Sequence, residues 1–181
     1  ILYSPIFPIA TRLISAFSTV PGRSDWIWTL LLLAIFCLCA IPLGFTFNLL
    51  KIEFPRISSW RVVRIVLVTL IFPSMAEEIF FRVLPLPHPP SQGTSIYTGL
   101  AVCISLALFV LYHPFNAAIF MKSARPTFYS FSFLSLALLL GIVCTVAYLK
   151  SGSIYPPTFL HWVIVVFWLF CFGGYRRLYP L

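Results

Sequence analysis

The sequence predicts an all-α, polytopic membrane protein: a bundle of about five transmembrane helices. Three observations predict it. Hydrophobic residues make up 61% of the 181 positions and charged residues only 9%, where soluble domains carry about 25% charged residues. The mean hydropathy is +1.02. The apolar positions gather into runs near the ~20 residues that a helix needs to cross a bilayer, and the basic residues fall in short stretches between them. The net charge of +8 therefore speaks for orientation and for contact with anionic membrane lipid. It does not speak for nucleic acid, because no basic stretch interleaves with aromatics on a polar face. All five cysteines (Cys37, Cys39, Cys103, Cys144 and Cys171) lie within apolar runs, which argues for packed thiols rather than disulfides.

The elements follow in order. Residues 1–24 are apolar but carry Pro5, Pro8, Pro21, Arg12 and Arg23, and read as an interfacial lead-in; a short extra membrane segment is the alternative. The rest, 25–181, reads as a single membrane-embedded domain. Trp26 to Phe47 is an uncharged first span, with Trp26 and Trp28 suited to an aromatic belt at its entry. A basic loop follows, with Lys51, Arg56, Arg61 and Arg64. The second span must run from about Ile65 to Leu86. Its uncharged part, Ile65 to Ala76, is too short to cross alone, so the helix has to continue through Glu77, Glu78 and Arg82. The prolines from Pro85 to Pro90 end it, and His88 among them is expected to face solvent. Thr94 to Met121 is the third span. It contains His113 just before Pro114, and the residue before a proline is pushed out of α geometry, so His113 is expected at a helix end or kink. Thr127 to Leu149 is the fourth span. The fifth begins near Ile154, tolerates Pro156 and Pro157 in its first turn, includes His161 and ends near Tyr175. Eight of the twelve basic residues fall on the side of the first-to-second loop, the third-to-fourth loop and the C-terminal tail. That bias puts the C-terminus in the cytoplasm.

One stretch stands out against this background. The chain has four acidic residues, Asp25, Glu53, Glu77 and Glu78, and two of them sit side by side inside an apolar run. A charged side chain at membrane depth costs roughly 2.5–3.5 kcal/mol on insertion scales. Glu78 and Arg82 are four apart, so on a helix they share a face and can pair. Glu77 points about 100° away. Two carboxyls in unlike surroundings are a usual way to divide acid and base labour. Pro73, four residues before Glu77, removes one backbone hydrogen bond and kinks the helix. The plainer reading is a Glu–Arg pair that locks two helices together. A lone intramembrane histidine likewise reads first as an interhelical hydrogen bond. A glutamate pair with His113 and His161, on three separate apolar helices, reads instead as a site.

At this point the residues resemble a known family. Glu77-Glu78-Ile79-Phe80-Phe81-Arg82 matches the EExxxR signature of the CAAX prenyl protease and bacteriocin-processing family of intramembrane proteases. Phe109 to His113 matches its FxxxH signature, and His161 matches the first residue of its HxxxN signature. The resemblance covers residues 60–175, about two thirds of the chain. It implies an intramembrane endopeptidase in which Glu77 is general base on a water oriented by His113, His161 stabilises the oxyanion, and Glu78 with Arg82 supports the helix. It implies no cofactor, with zinc on Glu77, His113 and His161 as the alternative. The implied partners are membrane lipid and a membrane-associated peptide or protein substrate, prenylated in the best-known members. One position departs from the pattern: Val165 stands where the family carries the Asn that assists the oxyanion, which makes Asn116 an auxiliary candidate. That departure favours the competing reading of a non-catalytic, scaffold or immunity-type member. A proton-coupled carrier, with the glutamates and histidines as a relay, is a third reading, weakened by the lack of an inverted repeat.

Overall fold

The computed structural model describes residues 9–88 and 96–179. The chain is all helical in outline. A short helix, α1 (Ile9–Ser18), precedes α2 (Arg23–Thr46). The next helix is segmented: α3 (Ser59–Thr69), a π-wound turn over Leu70–Met75, α4 (Ala76–Glu78) and a second π-wound turn over Ile79–Val83. Then come α5 (Ile96–Ile119), the short α6 (Arg125–Phe128), α7 (Phe131–Ser151), α8 (Tyr155–Cys171) and α9 (Gly174–Leu178). Among the described residues three helices, α2, α5 and α7, are long and apolar enough to cross a membrane by themselves. The 17-residue α8 and the segmented helix stand for the other two expected spans.

The outer surface shows which solvent the bundle faces. Leu38 is 75% exposed, and Leu31, Leu67, Leu108 and Ile142 are also exposed. In water that surface would be a liability; in lipid tails it costs nothing. The chain is an integral membrane protein. Inside, Leu32, Phe36 and Ala40 of α2, Phe109 of α5, Leu140 and Cys144 of α7 and Leu160 of α8 form one buried core.

The helix ends differ from their sequence-based bounds for local reasons. The first span starts three residues earlier than Trp26, where the Asp25 carboxylate accepts the Gly22 N–H at 2.8 Å. The fourth starts at Phe131 rather than Thr127, because the Ser130 hydroxyl accepts the Phe133 N–H at 3.3 Å and caps the helix there. The fifth stops at Cys171, and Gly173 takes a left-handed φ of 78° before α9 begins. Glycine is the residue that adopts that turn without strain. The second span breaks where Pro73 predicts: Phe72, the residue before it, is extended (φ −128°, ψ 120°). The proline loop after it, from residue 89, and the start of the third span lie outside the described residues, as do residues 1–8. His88 is half-buried rather than solvent-facing.

The lead-in is docked onto the bundle. Arg12 donates to the Leu84 carbonyl, the Ile154 N–H donates to the Ala16 carbonyl at 3.1 Å, and Ala16 is fully buried.

The expectation that His113 ends a helix is incorrect. α5 runs unbroken through Pro114 to Ile119. Proline inside a membrane helix is tolerated where neighbouring groups and local adjustment make up for its missing N–H; the His113 ring packs back along the same helix, with Nδ1 on the Phe109 carbonyl.

Candidate active site

The site is built around α4, which lies between the two π-wound turns. The first is broken by the extended Phe72; the second adds a residue to the helical circuit, a feature frequent at functional sites. In the second one the Leu84 N–H reaches back five residues to the Ile79 carbonyl, at 3.0 Å. Glu77 and Glu78 are both buried, and their adjacent positions aim them apart.

Glu78 points into the protein. Its Oε1 accepts from Arg82 Nη1 at 3.2 Å and from His161 Nδ1 at 2.7 Å. Arg82 is fully buried. Its Nη2 donates to the Gly141 carbonyl at 3.1 Å, and its guanidinium lies over the Phe109 ring at 4.2 Å. A buried charge is tolerable only when it is paired and hydrogen-bonded, and this one has a carboxylate, a carbonyl and an aromatic face. The helical i, i+4 pairing expected from the sequence is present. The bond from His161 to the same carboxylate is not legible in the sequence, since 83 positions separate the two residues.

Glu77 points into a cavity of about 1300 Å³. His113 and His161 line the same cavity, so the three candidate residues converge although their helices are far apart in sequence. His161 Nε2 stands 3.8 Å from Glu77 Oε2, a gap that suits one bridging group better than a direct bond. Glu77 Oε2 is buried without a hydrogen-bond partner among the described residues. His113 Nδ1–H donates to the Phe109 carbonyl at 2.9 Å, which leaves Nε2 as the free atom of a neutral ring.

Phe109 is the hub that sequence reasoning did not assign. It is fully buried, and its ring meets His113 at 5.1 Å and His161 at 5.9 Å, both edge-on, as well as the Arg82 guanidinium. Its place four residues before His113, on the same helix face, was the available signal. Gly141 is the other unassigned support: a methyl there would stand 3.1 Å from Phe109 Cδ1 and 3.3 Å from Arg82 Nη2. α8 is held against α3 by the Trp162 indole, which donates to the Val66 carbonyl at 2.8 Å. α5 is held to the glutamate helix by Ser105, which donates to the Phe81 carbonyl.

Asn116 and Val165 also line the cavity, each one turn beyond a histidine. Among the described residues no three His, Cys, Asp or Glu side chains gather as a metal-binding set. Both histidines turn Nδ1 to protein acceptors, which fixes each ring and leaves its Nε2 toward the cavity.

The family described as type II CAAX prenyl endopeptidase Rce1-like matches residues 59–167, more than half of the chain. The chain belongs to that family. Searches of curated proteins and of solved structures gave no match. The Rce1-like family is a protease family, and the matched residues run from the start of α3 almost to the end of α8. They include every residue of the glutamate–histidine cluster. In this Rce1-like chain α1, α2 and α9 lie outside the matched span, yet α2 contributes Leu33, Phe36 and Ala40 to the cavity wall.

Proposed function

We propose that the chain is an intramembrane endopeptidase that hydrolyses a peptide bond with a water activated by Glu77. The observation that carries the reading is the buried, unpartnered Oε2 of Glu77 on the wall of a cavity that His113 and His161 share. A general base must come within hydrogen-bond reach of the water it activates. His113 Nε2, free because Nδ1 is bonded to the backbone, orients that water. The water oxygen attacks the scissile carbonyl carbon and its proton passes to Glu77. His161, carrying a proton on each ring nitrogen with Glu78 as its counter-charge, donates Nε2–H to the carbonyl oxygen as charge develops there, the kind of preorganised stabilisation that lowers acyl-transfer barriers. Collapse breaks the C–N bond, and the departing amine takes the proton from Glu77. Glu78 and Arg82 touch no reacting atom; they hold His161 and the helix in place.

The lining of the cavity is mostly apolar, with Arg61 and Arg64 among its few charged residues, and suits a substrate with a lipid-like portion. The substrate we propose is a membrane-associated peptide, prenylated as the family's name describes. The reading needs no metal, and it keeps the C-terminus in the cytoplasm with the basic loops. The competing scaffold reading is favoured by Val165, an apolar side chain on the cavity wall one turn beyond His161.

The deciding experiment is cleavage of a membrane-tethered peptide library by the purified protein, with Glu77→Ala as control. Cleavage lost in the variant supports the enzyme. No cleavage by either protein supports the scaffold. Activity that a zinc chelator removes and added zinc restores would replace the water-and-glutamate reading with a metal one.

A further inference from the structure

Besides His113 and Ser105, whose hydroxyl donates to the Phe81 carbonyl, the α5 wall of the cavity carries two polar side chains, Tyr112 and Asn116. They are four residues apart, about 6 Å along the helix axis, so they share one face. Neither side chain makes a hydrogen bond with a described residue. Tyr112 is held by packing instead. Its ring tilts against Phe81 at 5.5 Å and meets the His113 ring at 6.1 Å.

The opposite wall is short of donors near His161; the unpartnered Trp168 indole N–H on that wall is seven residues farther, about 10 Å along α8. On α8, His161 has committed Nδ1–H to Glu78, leaving Nε2 as its one cavity-facing atom, and the next residue on that face is the apolar Val165. An oxyanion formed between the walls would meet one imidazole nitrogen from α8. Preorganised donors aimed at developing charge usually lower an acyl-transfer barrier more than any other single device. A phenol with nothing to bond, fixed beside the histidine that orients the water, is the group in place to supply another.

We propose that Tyr112 is a catalytic oxyanion donor: its phenolic O–H donates to the scissile carbonyl oxygen from the α5 wall while His161 faces it from α8. The inference rests on the protease reading above. No proton leaves Tyr112. The carbonyl electron pair moves onto oxygen as the water oxygen bonds to carbon, the phenol hydrogen bond shortens around that charge, and the C=O bond re-forms as the C–N bond breaks.

Tyr112→Phe tests this, because it removes the hydroxyl and keeps the ring that packs on Phe81. With a peptide cleaved by the wild-type protein, kcat should fall about 10²–10³-fold, the usual loss for one oxyanion donor. KM should stay near wild type, since the bond is made only in the transition state. Melting temperature and binding of an uncleavable analogue of the same peptide should not change. A wild-type kcat in Tyr112→Phe overturns the inference, and so does a loss of analogue binding or of thermal stability, which would make Tyr112 a structural residue. A kcat loss carried by Asn116→Ala instead of Tyr112→Phe also overturns it. Glu77→Gln separates the two levels. If Glu77→Gln is inactive and Tyr112→Phe is fully active, Tyr112 is wrong and the protease reading stands. If Glu77→Gln is fully active, both fall.

Discussion

Glu78→Gln is the most informative single change, because it removes a charge on which two other buried groups depend. Arg82 and His161 both donate to the same Oε1, and none of the three side chains is more than 2% exposed. Removing one partner of a buried ion pair costs about 3–5 kcal/mol, because the other charge is left without compensation. The lower end applies here. The introduced amide would keep an acceptor oxygen, and Arg82 retains the Gly141 carbonyl and the Phe109 ring. A loss near 3 kcal/mol corresponds to a fall of about 6–12 °C in melting temperature for a chain of this size, at roughly 2–4 °C per kcal/mol. Combining Glu78→Gln with Arg82→Met removes the stranded cation and should recover part of that loss, whereas independent sites would simply add. Turnover should not recover with it, because His161 has still lost the carboxylate that aims its ring. The assay is a thermal melt of the detergent-solubilised protein alongside peptide cleavage, for both single variants and the double. A Glu78→Gln protein that melts with the wild type, or a double variant less stable than either single, would refute the reasoning.

Three further outcomes are expected. Glu77→Gln should melt near the wild-type temperature, since its Oε2 has no partner among the described residues, and should lose about 10²–10⁴ in turnover, the usual share of general-base catalysis; an unfolded Glu77→Gln would show that the glutamate roles are reversed. Gly141→Ala should destabilise by about 1–3 kcal/mol through overpacking, as its new methyl would press on Phe109, Leu106 and Arg82 at 3.0–3.3 Å; a more stable Gly141→Ala protein would count against the Phe109 hub. Engineered cysteines at positions 123 and 178, in a background without native cysteines, should label from the same side. The Ser123 hydroxyl already donates to the Leu178 carbonyl at 3.0 Å, so labelling from opposite faces would contradict the fold.

The sequence by itself determined whatever obeys local periodicity. Apolar runs between basic stretches are enough to specify a helical membrane bundle, because backbone groups in lipid must be satisfied within the segment. The Glu78–Arg82 pair was legible because four residues bring two side chains to one helix face. The break at Phe72 was legible because proline constrains the residue before it. That same rule misled at His113. There the helix continues through Pro114 to Ile119, because the preference against α geometry before a proline is weak enough for a membrane bundle to override. Helix ends at Phe131 and Cys171 also moved, because a serine cap and a glycine turn decided them. Tertiary structure alone decided which surroundings each glutamate received. Glu78 was drawn to His161 and Arg82 in a buried cluster, while Glu77 was left facing a cavity with His113, His161 and Tyr112. Packing four helices around Phe109 makes those choices, and no spacing along one helix records which neighbour a side chain will meet on the next.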